Sequence, residues 1–260
     1  MAEPYVTMSL NDRIATIKLN NPPLNVFKIE MTGQLDRILE GLRRNDEVRA
    51  VVLRGAGRAF CAGSDISEFD DFHEPGKVVE LKLLRQNAVF EKLANFPKPV
   101  VAAIHGLAFG GGLEIAMCCD LIVVEEDCRF AMPEMRLGVF PSSGGPYRTV
   151  RRIGPARTKQ LIFLTEPVDA PTALAWGLID RVVPKGDVAS AAEALATEMS
   201  KRPPKALRLC KALIGEASRL STAELISRSL DASDQVFASA DCEEGVRAFF
   251  AKEEPNFGMN

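Results

Sequence analysis

The chain has 260 residues, 47% of them hydrophobic, which is enough to bury a substantial core as one domain plus an appendage without disulfide or metal staples. Lys and Arg (32) nearly balance Asp and Glu (35), so the formal charge of −3 gives no global argument for nucleic acid or an anionic membrane as partner. Six cysteines at 61, 118, 119, 128, 210 and 242 form no CxxC pair and only two histidines accompany them. This favours reduced, mostly buried thiols in a reducing compartment over a disulfide framework or a zinc site.

The N-terminus, MAEPYVTMSL, has no cationic stretch followed by an apolar one, and no uncharged apolar run approaches the roughly 20 residues that span a bilayer. A soluble, cytoplasmic protein is expected. Tyr5 to Leu10 and Ile14 to Leu19 flank Asn11, Asp12 and Arg13 and read as a hairpin. After the stop at Asn20 to Pro23, apolar positions at Ile29, Leu35, Ile38, Leu39 and Leu42 keep helical spacing from Lys28 to about Arg44. Ala50 to Leu53 is a short buried strand. Gly55 to Ile66 is a glycine-containing loop that matches neither a phosphate-binding loop, since no Gly-Lys-Ser/Thr follows, nor a dinucleotide fingerprint.

Residues 67–78 read as a mobile acidic surface segment, with His73 as a solvated loop histidine, before a helix over about Val79 to Asn95. Pro97 and Pro99 end that helix and launch the strand Val100 to Ile104. His105 is expected to hydrogen-bond backbone near the following turn. Gly110, Gly111 and Gly112 then read as a sharp strand-to-helix turn, where glycine tolerates positive φ and admits close approach to the main chain. Strands are expected over Asp120 to Glu125 and Arg129 to Met132. Pro146 suits a first helical position, short helices are expected over Ala156 to Leu164 and Ala170 to Trp176, and Leu178 to Val183 is a last extended segment. From Val188 the chain is almost wholly helical, with breaks at Pro203, Pro204 and near Ser221. The resulting division is 1–195 for the core and 196–260 for a helical appendage.

Two acids stand out in apolar surroundings: Glu114, among Leu113, Ile115, Ala116 and Met117, and Glu134, after Pro133. Burial opposes ionisation and lifts a carboxyl from about 4.3 towards the working pH, as a general acid or base requires. The plainer alternatives are an N-terminal Glu that favours the helix dipole and a solvent-facing loop acid. The combination of a glycine-built N–H donor, two carboxyls and a second glycine turn at Gly144 and Gly145 favours chemistry.

The segments GRAFCAGSDI, AAIHGLAFGGGLEIAMCCDL and FAMPEMRLGVFPSSGG together closely resemble the enoyl-CoA hydratase/isomerase (crotonase) superfamily, and the likeness runs from about Tyr5 to Phe257. It implies an α/β fold: a crotonase-type core of repeated strand-strand-helix units, then a C-terminal helical trimerisation region. The implied partners are an acyl-CoA substrate and copies of the chain, as a homotrimer or dimer of trimers. No cofactor or metal is implied beyond coenzyme A as part of the substrate. The residue after the Ala-Gly step, Ser64, is implied to give one N–H of an oxyanion hole and Gly111 the other, a donor of that kind being worth on the order of 3 kcal/mol. Main-chain contacts around Ala62, Asp65 and Ile66 are implied to hold the adenine and pantetheine end of coenzyme A, and Lys252 is implied to reach its phosphate, with a solvated lysine as the plainer reading.

The activity implied is addition of water across the 2,3 double bond of an enoyl-CoA, with Glu114 activating the water and Glu134 passing a proton to Cα. Double-bond isomerisation and a specialised, carnitinyl-type dehydratase are the alternatives. The family's common Gly-Thr-Gln-Arg-Leu is here Gly145, Pro146, Tyr147, Arg148, Thr149, a departure in a segment that borders the acyl pocket of relatives. RNA binding, known for some members, has basic clusters at Arg148 to Lys159 and Lys201 to Lys211 in its favour. It lacks an aromatic stacking face, and a solvated helix surface is the commoner explanation. A serine hydrolase has no G-x-S-x-G elbow to rest on.

Overall fold

The computed structural model of the protein describes residues 3–258, so Met1 and Ala2 of the 1–195 division and Met259 and Asn260 of the 196–260 division lie outside the described residues. A six-stranded sheet forms the centre, in the order β1 (Val6–Asn11), β2 (Ile14–Leu19), β3 (Ala50–Gly55), β4 (Val100–Ile104), β6 (Leu121–Glu125) and β9 (Arg181–Val183). Only the β1–β2 hairpin is antiparallel; the other four pairings are parallel. Parallel strands covered on both faces read as continuous apolar runs, and the VVAAI of β4 is buried at every position. The two-residue period of a strand divides these side chains. Leu53, Ala102, Ile104, Ile122 and Val124 join the main core, while Val52, Val101, Ala103 and Val123 meet Val188, Ala192 and Ala196 of helix α6 (Val188–Ser200) on the other face. Small residues four apart let α6 lie close to the sheet, and residue 195 falls inside it.

A second sheet of three short strands, β5 (Leu107–Phe109), β7 (Arg129–Ala131) and β8 (Val168–Asp169), lies after the ends of the first. The strand-strand-helix repeat is therefore realised across two sheets. Strands β4 and β5 precede helix α3 (Gly111–Ala116), and β6 and β7 precede helix α4 (Gly145–Leu164). Cys61, in the loop after β3, makes the equivalent bridge to Ala108 of β5. Helices α1 (Ile29–Arg44) and α2 (Leu84–Ala94) pack on the main core, with Phe27 and Phe90 edge to face at 5.7 Å.

Three expectations change. The acidic stretch after Ile66 is a 3-10 helix, Ile66–Phe72, because Ile66, Phe69 and Phe72 fall three apart and share one side of a three-residue turn. The helix expected from Val79 begins with a π turn, Val79–Leu83, before α2. Gly154 (φ 74°, ψ 169°) and Pro155 divide residues 145–164 into two helical pieces, so the helix expected from about Ala156 is present and another, starting at Gly145, precedes it. The strand expected from Leu178 narrows to β9. Helices α5 (Ala170–Trp176), α7 (Pro204–Glu216), α8 (Thr222–Phe237) and α9 (Ala240–Ala251) complete the chain. Lys211 ties α7 to the core through Asp120 at 2.7 Å. No helix among the described residues is long and apolar enough to cross a membrane, and four of the six cysteines are buried and unpaired.

Candidate active site

Two main-chain segments are forced against each other where β5 ends. Phe109 N donates to Cys61 O at 3.0 Å and Cys61 N to Leu107 O at 3.3 Å, so the loop 61–64 runs as an extra short strand beside β5. On its other side Ala62 N donates to Leu24 O and Phe27 N to Gly63 O. Gly112 makes the approach possible, since a Cβ there would stand 2.2 Å from the Cys61 carbonyl oxygen. Among the N–H groups with no acceptor in the described residues are those of Ser64 and of Gly111, the first residue of α3. The two lie close together, a Cβ on Gly111 coming 3.5 Å from the Ser64 nitrogen.

Glu114 sits one turn into α3 and is 3% exposed. Its Oε1 accepts from Ser143 N at 2.7 Å and Gly145 N at 2.8 Å. Its Oε2 is the oxygen turned towards Gly111. Burial pushes its pKa up to about 7, opposed by the Gly145 and Ser143 N–H groups and by the more distant charges of Arg148 and Lys82. Glu134 reaches the same place from the opposite wall. The bond from Gly110 N to Ala131 O, at 2.8 Å, sets the turn beside the end of β7, and the 3-10 helix Pro133–Leu137 then points the carboxyl at Gly110. A Cβ on Gly110, whose φ is 47°, would stand 2.3 Å from Glu134 Oε1. Glu134 Oε2 is buried with no partner, and desolvation together with the nearby Glu114 charge pushes its pKa up to about 7.

A cavity of about 760 Å³ connects these groups. Ala62, Ser64, Ile66, Glu114 and Glu134 all line it, as does Gly110 beside Gly111. Asp65 and Lys252 are not among the residues that line it. Asp65 turns its carboxylate to Ser67 N and Oγ, at 3.0 and 2.7 Å, as the cap of the 3-10 helix. Lys252 is exposed in left-handed conformation after α9 and does not line the cavity. His105 contacts backbone as expected, but in the loop after β3, at Gly57 O (3.1 Å from Nε2), and not at the 110–112 turn; His73 is an exposed residue lining the cavity, 3.8 Å from Asp70. The sequence reading missed the N–H groups of Ser143 and Gly145 that hold Glu114, although the glycine pair at 144–145 signalled a tight turn there. It also missed Lys82, Phe69 and Phe72, whose signal was the three-residue spacing of Ile66, Phe69 and Phe72. No group of His, Cys, Asp and Glu suited to a metal ion occurs among the described residues.

The chain matches the sequence profile of the enoyl-CoA hydratase/isomerase family over residues 9–260. It is 32% identical to a short-chain-enoyl-CoA hydratase of Clostridium acetobutylicum, covering 95% of each chain. It is 33% identical to a 1,2-epoxyphenylacetyl-CoA isomerase of Escherichia coli, covering 97% of this chain and 98% of the other. Among solved structures, DspI of Pseudomonas aeruginosa superposes with a TM-score of 0.93 at 33% identity, over 98% of this chain and 97% of the other. An enoyl-CoA hydratase of Bacillus anthracis does so with a TM-score of 0.92 at 28% identity, over 98% and 99%. Fold, motifs and extent of match agree on one conclusion: the chain has the crotonase fold and belongs to the enoyl-CoA hydratase/isomerase family.

Proposed function

We propose that the protein hydrates the 2,3 double bond of an enoyl-CoA thioester to give a 3-hydroxyacyl-CoA. The observation that carries this reading is the convergence of both glutamates on one cavity beside the N–H groups of Ser64 and Gly111. Docked with its thioester oxygen on those two donors, the substrate presents its Cα–Cβ bond to the carboxyls. Glu114, as carboxylate, takes a proton from water while the water oxygen bonds to Cβ. The π electrons move towards the thioester oxygen, whose growing charge the two N–H groups stabilise. Glu134, as acid, then delivers its proton to Cα. The cycle leaves the proton on Glu114 and the charge on Glu134, and exchange with solvent resets the pair.

Loss of conjugated enoyl-thioester absorbance, with the product identified, tests the reading. Glu114→Gln and Glu134→Gln should each lower turnover at least about a hundredfold, and near-normal hydration by either variant rejects the assignment. Double-bond isomerisation is the second reading, in keeping with the hydratase/isomerase family whose profile the chain matches. It needs only one acid to carry a proton between Cα and Cγ, so a displaced double bond in the product, without added water, would decide for it. A specialised dehydratase would use the same two acids in reverse. The α8 and α9 faces bear Leu230, Phe237, Phe249 and Phe250, 66–78% exposed, and we assign them to contact between copies in a trimer or dimer of trimers, which sedimentation equilibrium tests.

A further inference from the structure

We propose that the protein selects acyl groups carrying a carboxylate at their far end, and that the ammonium of Lys82 is the group that recognises it. This rests on the enoyl-thioester reading of the same cavity. Apart from the two glutamates, the cavity wall is largely hydrocarbon, with Phe69, Phe72, Leu83, Leu137, Val139 and Phe140. Lys82 interrupts it. The residue is only 4% exposed and lines the cavity from the π turn Val79–Leu83, with its ammonium 5.8 and 5.7 Å from the ring centres of Phe69 and Phe72.

An ammonium has three donors, and in this protein Lys82 directs one at an oxygen, Glu68 Oε2 at 3.4 Å. Glu68 is itself shared. Its Oε1 accepts from Ile29 N at 3.0 Å, at the start of α1, where the helix dipole also draws on its charge. The charges of Glu68, Asp65 and Glu114 act on this ammonium, but two of its three donors have no oxygen within reach, and burying a charge without full hydrogen bonding is costly. A hydrocarbon acyl tail would make that worse by expelling water. A carboxylate would supply two acceptors for the donors left over.

Asn87, on the following turn, donates to Ser142 O at 3.1 Å, which ties this wall to the 142–145 turn that holds Glu114.

The test compares two thioesters of equal length, hex-2-enoyl-CoA and hex-2-enedioyl-CoA, whose sixth carbon is a carboxylate. The wild-type protein should favour the diacid at least about tenfold in kcat/KM, and Lys82→Met should lower that ratio at least about tenfold. The ratio is the readout because the Lys82 charge also acts on Glu114 and moves both rates together. A wild-type preference for the monoacid overturns the proposal, and this comparison needs no variant. So does a ratio unmoved by Lys82→Met, or an equal weakening of free coenzyme A binding, which would make a phosphate the partner. Calorimetric binding of adipyl-CoA against hexanoyl-CoA separates the two readings. If hydration fails but the saturated diacid still binds preferentially, and Lys82→Met removes the preference, the reaction assignment falls and the recognition stands; equal binding of the two sinks the recognition alone.

Discussion

Replacing Glu114 with glutamine exposes a cost that the site imposes on the fold. The carboxyl is 3% exposed and burial lifts its pKa from 4.5 to about 7. Because the folded value is the higher one, the group is neutral in both states below about pH 4.5 and burdens neither. As pH rises through about 7 the folded protein must ionise a buried acid that the unfolded chain ionises freely, so the contribution to stability falls. The gap between 4.5 and about 7, at about 1.4 kcal/mol per pH unit, makes this loss about 3 kcal/mol once ionisation is complete. Glutamine removes the ionisation yet keeps an oxygen for the Ser143 and Gly145 N–H groups. Urea unfolding at pH 5 and pH 8.5 should therefore show the variant gaining on wild type by up to about 3 kcal/mol between the two conditions, whatever constant offset the new amide introduces. Parallel pH dependences for the two proteins would refute the burial argument.

The remaining predictions concern rate and packing. With both acids raised to about 7, the pair holds a single proton only around neutrality, so turnover against pH should be a bell centred near 7, its limbs belonging to the pair; a plateau extending to pH 9 would contradict it. Ser64→Ala should retain turnover within about threefold, since the donor is backbone, whereas Gly112→Ala sets a Cβ 2.2 Å from the Cys61 carbonyl and should cost about 1–3 kcal/mol of stability along with most of the activity. Thermal unfolding and steady-state rates on both variants check this, and a fully active Gly112→Ala would show that the loop is not wedged there.

Much of the main frame is legible because it is local. The hairpin, the helix over Ile29–Arg44 and the strand Val100–Ile104 each carry their period or their uninterrupted burial in a few adjacent residues. The small sheet is not legible. Strands of three and two residues, such as Leu107–Phe109 and Val168–Asp169, are too short for any alternation to register, and their pairing is decided by where the larger sheet ends. The same holds inside the site. Gly110 to Gly112 and the two glutamates are readable as residue types, but the bonds from Ser143 and Gly145 to Glu114 join positions 29 and 31 residues apart. Lys82 looks like an ordinary charge on a charged helix until the π turn rotates it under the Phe69 and Phe72 rings.

That long-range wiring also decides which glutamate carries the charge. Both acids are raised by desolvation to about the same value, so burial alone makes them equivalent. The hydrogen bonds do not. Glu114 receives two N–H donors on Oε1, which favour its carboxylate, and the charges of Arg148 and Lys82 act in the same sense. Glu134 has an unpartnered buried Oε2 and a neighbouring acid that opposes its ionisation. When the pair holds one proton, it therefore belongs on Glu134, leaving Glu114 as the base. Water attack by the first and proton delivery by the second then need no prior rearrangement, and an infrared carboxyl band near neutral pH that disappears in Glu134→Gln but persists in Glu114→Gln is the expected signature; the reverse pattern would exchange the two roles.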